Sequence, residues 1–245
     1  MRTSRRPLIE RLRSDRSDVE DPQTLIASGR VLVDGSVVTN PRSMIADSSS
    51  VKVRASQQLR GELKLGPILR QLGVDVRGRV ALDAGAAAGG FTKALLDAGA
   101  SRVYAVDVGH GQLAGFLRQD PRVVNLEATN MGDLNPALVP DDVSVITLDL
   151  SYLSLSEAIP QLGRIGLAAG AELIGLIKPM FELGLDHAPH DPSSVERAVR
   201  RASEGAESSG WKVLATASSP ITGAKGAPEA FIHATLRARN REIAG

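Results

Sequence analysis

The chain contains no cysteine among its 245 residues. Disulfides, thiolate nucleophiles and cysteine-ligated zinc are thereby excluded, and a reducing compartment is permitted. Histidine is also scarce: four are scattered along the chain, and no metal site is expected from them. No stretch of about 18 uncharged apolar residues exists to span a bilayer as a helix. The basic start, MRTSRRPLIERLRSDR, lacks the apolar run of a signal peptide. These absences lead to the expectation of a cytoplasmic protein without membrane or metal partners. Net charge is small, +1, but uneven. Residues 1 to 64 carry 12 Lys/Arg against 8 Asp/Glu, and the remainder carries 17 against 20, so the amino-terminal quarter is the candidate polyanion contact. With 42% hydrophobic residues, a chain of this length can build one full-sized domain and a small one.

Apolar residues recur at helical intervals over Pro7 to Arg13 and Asp21 to Ser28, which predicts two short helices. The stretch RVLVDGSVVTNP then alternates as a strand, turns tightly at Asp34-Gly35, and stops at Asn40-Pro41. A later VKV supplies a third strand. The run LIASGRVLVDGSVVTNP followed by VKV resembles the S4-type RNA-binding module. That resemblance implies a small α+β domain over residues 1–57 whose basic side chains meet structured RNA. Arg30, Arg42, Lys52 and Arg54 are the expected phosphate contacts, which give affinity without reading sequence. A merely solvated basic face is the alternative.

Residues 58–245 form the larger expected domain. A polar connector, Ala55 to Leu63, leads to a short helix from about Gly66 to Leu72, with Pro67 in its first turn, Gly73 at its stop and Lys64 just ahead of it. From Arg79 onward strand and helix alternate, predicting an α/β fold: a mostly parallel sheet with helices on both faces and ligands outside the carboxyl ends of its strands. The stretch VALDAGAAAGGFTKAL joins an apolar strand to a helix through a glycine loop, with Gly85, Gly89 and Gly90 allowing close backbone approach and Asp83 at the strand end. The spacing is not the G-x-G-x-x-G of dinucleotide sites and suits S-adenosylmethionine better. The next strand, RVYAV, delivers Asp107 about 20 residues on, where an acid takes ribose hydroxyls.

Four polar residues stand where apolar patterns break or end: Lys64, Asp149, Lys178 and Glu229. Singly, each reads as a solvated lysine or a helix cap. Together with RGELKL, LDAGAAAGGFTKALLDAGASRVYAVDVGHGQL, LRQDPRVVNLEATN, LDLSYLSL, KPMFELG and GAPEAF, they resemble the TlyA (haemolysin A) family of rRNA 2′-O-methyltransferases, whose catalytic domain is FtsJ-like. The resemblance implies a Rossmann-like methyltransferase sheet and S-adenosylmethionine as cofactor. It further implies ribosomal RNA or ribosomal subunits as partners and the ribose of a cytidine as target. Its catalytic tetrad falls on Lys64, Asp149, Lys178 and Glu229, with Lys178 as proton acceptor or polariser. The cofactor residues fall on Asp83, Gly85, Gly89, Gly90, Phe91, Asp107 and Asn130. This chain departs from the family pattern at Ala87-Ala88 (usually Ser-Thr), Ala128 (Arg), Met180 (Gln) and Ala227-Pro228 (Asn-Val). A non-catalytic RNA-binding protein on the same fold is the competing reading, separable by a Lys178 variant. A membrane-active haemolysin is disfavoured because no spanning segment or strongly amphipathic apolar face is visible.

Overall fold

A computed structural model of the chain describes residues 4–16, 19, 21–27, 29–53 and 58–237. It divides into two units: one reaches Gln58 and includes Ala114–Pro121, and the other comprises Leu59–Leu113 and the residues from Arg122 onward.

In the first unit, Asp34 and Gly35 turn the backbone through φ of 50° and 85°. Two successive positive φ values are what a two-residue hairpin of right-handed twist demands, and an Asp-Gly pair supplies them at low strain. The turn joins β2 (Val31–Val33) to β3 (Ser36–Val37), and β5 (Val51–Val53) pairs antiparallel on the other edge of β2. Helices α1 (Leu8–Asp15) and α2 (Pro22–Ala27) supply Leu8, Leu12 and Ile26 to a core shared with Val31, Val33 and Ile45. A second small sheet, β1 (Arg5–Pro7) against β4 (Met44–Ala46), has no counterpart in the sequence reading. Their sequences, RRP and MIA, carry no apolar–polar alternation to signal a strand.

The second unit is built on seven strands: β6 (Val80–Ala84), β7 (Arg102–Val106), β8 (Val123–Leu126), β9 (Val143–Leu148), β10 (Leu167–Ile177), β11 (Trp211–Ser218) and β12 (Ala230–Leu236). Their order is β11-β12-β10-β9-β6-β7-β8. The five from β8 to β10 run parallel, and β12 runs antiparallel to both of its neighbours. Alternate residues face opposite sides. Leu82, Ala84, Ile146 and Leu148 join one core with α6 (Leu155–Ala158) and α8 (Pro192–Ser208). On the other face, Asp83 and Thr147 meet Thr92 of α4 (Gly90–Asp97), and Phe231 stacks on Phe91 with ring centroids 6.1 Å apart. The short helix α5 (Gly115–Arg118) belongs to the first unit, and α7 (Pro179–Glu182) is a single turn after β10.

This topology decides where chemistry gathers. Parallel strands β6, β9 and β10 end at one rim, with Ala84 opposite Leu148 and Gly175 opposite Leu148. Because β12 is inverted, its first residue, Ala230, pairs with Ile177, the last of β10. Asp149, Lys178 and Glu229 therefore emerge side by side, although two end strands and one begins a strand.

Lys64 arrives from a helix, and here the expectation is corrected. Helix α3 spans Arg60–Leu72, so Lys64 lies within it, not ahead of it, and Pro67 is internal. The start is fixed by Glu62, whose carboxylate accepts from the Leu59 amide at 2.9 Å. An internal proline removes a helix hydrogen bond, but Leu65, Ile68 and Leu69 bury a continuous face that offsets it. The same face buries Lys64, 6% exposed. α3 also packs backbone to backbone on α4: a Cβ on Gly90 would lie 2.6 Å from the Gly61 Cα. Gly90→Ala is therefore expected to cost about 1–3 kcal/mol by overpacking, read as a lower denaturation midpoint at unchanged m-value.

Candidate functional site

The glycine loop closes directly on the next strand end. Gly85 has φ 87°, and a Cβ there would meet the Asp149 carbonyl oxygen at 2.3 Å, while the Asp149 amide donates to Ala84 O at 2.9 Å. Gly89, at φ 94°, begins α4. Ala87 holds φ 45°, costly for a residue with a Cβ, and its amide donates to Asp107 Oδ2 at 2.8 Å.

Asp83 does not reach the open rim. It is fully buried, and its two oxygens accept from Thr92 Oγ1 (2.6 Å) and Thr147 Oγ1 (2.9 Å). Burial, with the nearby Asp149 charge, pushes its carboxyl up to about 6 despite those bonds. Between about pH 4 and pH 6 the folded chain thus keeps a proton that the unfolded chain has released. Stability falls as pH rises through that window and stays lower above it, by about 3 kcal/mol at most. Asp83→Asn removes that term, so its melting temperature relative to wild type is expected to be higher at about pH 8 than at about pH 5. A difference that does not change with pH in thermal melts would show an ordinary carboxyl.

Two other residues assigned to the cofactor are also packed inside the unit. Phe91 is 3% exposed, stacked on Phe231, and Gly90 backs onto Gly61. Both hold the loop's helix in place. Asp107, by contrast, is only half-buried at the end of β7; its oxygens accept from the amides of Ala87 and Gly109 (2.8 and 2.7 Å). Asn130 is exposed and accepts from the Gly132 amide at 3.0 Å. Tyr152, 41% exposed, stands near Asp107 and Met131, and its burial raises the hydroxyl's pKa above the usual tyrosine value.

The four tetrad candidates form two lysine–carboxylate pairs. Lys64 Nζ donates to Glu229 Oε2 at 2.5 Å with both side chains under 10% exposed. Lys178 Nζ lies 2.6 Å from Asp149 Oδ1 and donates to Ser151 Oγ at 2.8 Å. The approach to Asp149 is off the hydrogen-bond axis, so Oδ1 has an ion-pair partner but no hydrogen bond. Lys64, Ser151, Lys178 and Glu229 line one cavity of about 750 Å³. Arg60 crosses its edge, donating to the carbonyls of Thr222 (2.5 Å) and Gly223 (2.9 Å). Gly223 in turn sits against Glu229, where a Cβ would lie 2.2 Å from Oε1. Ser151, Arg60 and the two threonines behind Asp83 escaped the sequence reading. Ser151 alone left a trace, two residues past Asp149 at the same rim.

Among the described residues, no group of three or more His, Asp or Glu is placed to hold a metal ion, and no helix is long and apolar enough to cross a membrane. The model of the FtsJ-like methyltransferase family matches residues 58–236. The 16S/23S rRNA (cytidine-2′-O)-methyltransferase TlyA of Mycobacterium tuberculosis is 38% identical over 218 residues, covering 85% of this chain and 81% of that protein. The chain belongs to the TlyA family of FtsJ-like methyltransferases. A solved structure from Streptococcus thermophilus, described as a candidate hemolysin, is 30% identical with a TM-score of 0.69, covering 95% of this chain and 89% of its own. A solved structure from Listeria monocytogenes, described as a candidate S-adenosylmethionine-dependent methyltransferase and 16% identical, shares the Rossmann-like fold alone, with a TM-score of 0.52 over 73% of this chain and 99% of its own.

In this TlyA-family chain the residues read from the sequence as departures from the family pattern fall in two places. Ala87 and Ala128 are both left-handed (φ 45° and 53°), in the loops after β6 and β8. Met180, Ala227 and Pro228 line the cavity of the two ion pairs. Of the residues assigned to RNA in the first unit, Arg42 and Lys52 are exposed and Arg30 is half-buried. Arg54 lies outside the described residues. Arg6 and Arg11 are engaged internally, Arg6 with Asp47 at 3.0 Å and Arg11 with Asp15.

Proposed function

We propose that this chain transfers a methyl group from S-adenosylmethionine to the ribose 2′-hydroxyl of a cytidine in ribosomal RNA. The observation that carries the reading is the convergence of Lys64, Lys178 and Glu229 on one cavity, with Asp149 pairing Lys178 and its carbonyl packed against Gly85 of the glycine loop. The cofactor's nucleoside end fits the donor set. A carboxylate offers about four lone-pair sites, Asp107 spends two on loop amides, and its half-exposed position leaves it reachable for ribose hydroxyls. Gly85 and Gly89 shape the loop beside it. S-adenosylmethionine supplies an electrophilic sulfonium methyl when bound.

The remaining work belongs to this chain. As the new C–O bond forms, the 2′-hydroxyl must give up its proton. Lys178 Nζ is the group placed to act on it, either polarising the hydroxyl as the ammonium paired with Asp149 or accepting the proton as the free amine. Asp149 and Ser151 fix Nζ, and the Lys64–Glu229 pair braces the same cavity with its charges matched. Preorganised charges in a water-poor site cost no reorganisation at the moment of transfer.

The first unit is the S4-type docking module in this reading, with Arg42 and Lys52 on RNA phosphates. Their neutralisation is expected to weaken rRNA binding and to lower the salt slope by about one per phosphate contact. A ribosomal RNA substrate is in keeping with a cytoplasmic protein. The reading is tested by calorimetric titration with S-adenosylmethionine, followed by mapping of methylated riboses in rRNA incubated with enzyme and cofactor. Cofactor binding with a methylated cytidine ribose supports it. RNA binding with no cofactor binding would leave an RNA-binding protein on a methyltransferase fold.

A further inference from the structure

Glu182, outside the tetrad, is only 1% exposed. Its backbone and side chain grip two different segments of the rim. The Glu182 amide donates to the Lys178 carbonyl at 3.0 Å, closing the single turn of α7 on which Lys178 is the cap. Its carboxylate crosses to the segment that follows Asp149 and Ser151. There it accepts from the Leu155 amide at 2.7 Å and Ser156 Oγ at 2.7 Å, with a longer contact from the Ser156 amide at 3.4 Å. A buried carboxylate is tolerated only when its lone pairs are filled, and these donors come from one short stretch. That stretch is itself immobilised: Ser154 and Glu157 form a reciprocal cap, and a Cβ on Gly205 of α8 would touch Ser156 Cβ at 2.6 Å.

We propose that Glu182 is a positioning residue for methyl transfer, acting by tying the turn that carries Lys178 to the segment that carries Asp149 and Ser151. Lys178 Nζ meets Asp149 and Ser151 across those two segments, so their separation sets whether Nζ is held at the reacting oxygen. The inference rests on the proposed role of Lys178. Glu182 faces neither the cavity nor the cofactor loop, so its loss leaves the binding surfaces intact.

The test compares Glu182→Ala, Glu182→Gln and Lys178→Ala in the full-length chain, with rRNA methylation kinetics, calorimetric S-adenosylmethionine affinity and thermal melts. A misplacement on the scale of 1 Å costs about 100-fold in rate, so Glu182→Ala is expected to lower kcat by about that factor while cofactor affinity and the KM for rRNA stay within about 3-fold. Glu182→Gln keeps the shape and one acceptor and is expected to recover kcat to within about 10-fold of wild type. Unchanged kcat in Glu182→Ala, or a parallel fall of cofactor affinity, melting temperature and kcat, overturns the proposal. If Glu182→Ala does not fold, Ser156→Ala decides. It removes one bond to the carboxylate and is expected to lower kcat about 10-fold at unchanged cofactor affinity, and a full rate there overturns it. A Lys178→Ala variant that remains active overturns the parent reading instead, whatever Glu182 does.

Discussion

Lys178→Ala is expected to lower the rate of rRNA methylation by about 10²- to 10⁴-fold, the range spanned by a positioned proton-transfer group. Affinity for S-adenosylmethionine should change little, because Nζ contacts Asp149 and Ser151, not the loops at Asp107. Fold stability should fall less than on breaking the Lys64–Glu229 pair, since the Lys178 and Asp149 side chains are 17% and 23% exposed. Single-turnover methylation alongside calorimetry separates the effects. Wild-type turnover would remove Lys178 from the chemistry, and loss of cofactor binding would make it a binding residue.

The second large effect is on stability. Lys64→Ala strips the counter-ion from Glu229, whose side chain is 6% exposed and walled by Gly223. Breaking one side of a buried pair costs about 3–5 kcal/mol because the remaining charge stays desolvated. For a domain of this size that is a fall of about 10 °C in melting temperature. Replacing both residues at once with apolar side chains, Lys64→Met with Glu229→Met, is expected to restore most of the loss, since the pair as a whole is close to neutral in stability. Methylation should remain defective in the double variant if the pair braces the cavity. Stability fully lost in both the single and double variants would show that the pair itself, not the orphaned charge, carries the energy.

Much of the site was legible before any coordinates. Asp149 and Lys178 each follow an apolar run, β9 and β10, and parallel strands in alternating α/β sequences end at a common rim. The hairpin at Asp34-Gly35 was legible for a local reason: two positive φ values in succession select that dipeptide. Glu229 was visible as the start of a strand. That it would stand beside Lys178 depended on β12 inserting antiparallel beside β10, a pairing between residues far apart in the chain.

Lys64 shows the limit most clearly. Its proximity to Pro67 placed it outside a helix, yet α3 runs through both. Local proline chemistry was outweighed by packing that the local sequence does not display, namely the burial of Leu65, Ile68 and Leu69 and the bare backbone contact of Gly61 with Gly90. Asp83, Gly90 and Phe91 reverse the lesson. A glycine-loop pattern marks the place of a ligand, but it does not say which of its residues face outward, because the pleat sends Asp83 to Thr147 and α4 carries Phe91 onto Phe231.

From sequence alone came the strands, the glycine turn and the residue types of the tetrad, because periodicity, φ preference and the ends of apolar runs are local properties. Only the tertiary structure decided which charges pair, which carboxylate is sealed in the core and which buried glutamate bonds the turn after Lys178 to Leu155 and Ser156. Those outcomes depend on desolvation and close packing between segments up to 165 residues apart, as from Lys64 to Glu229.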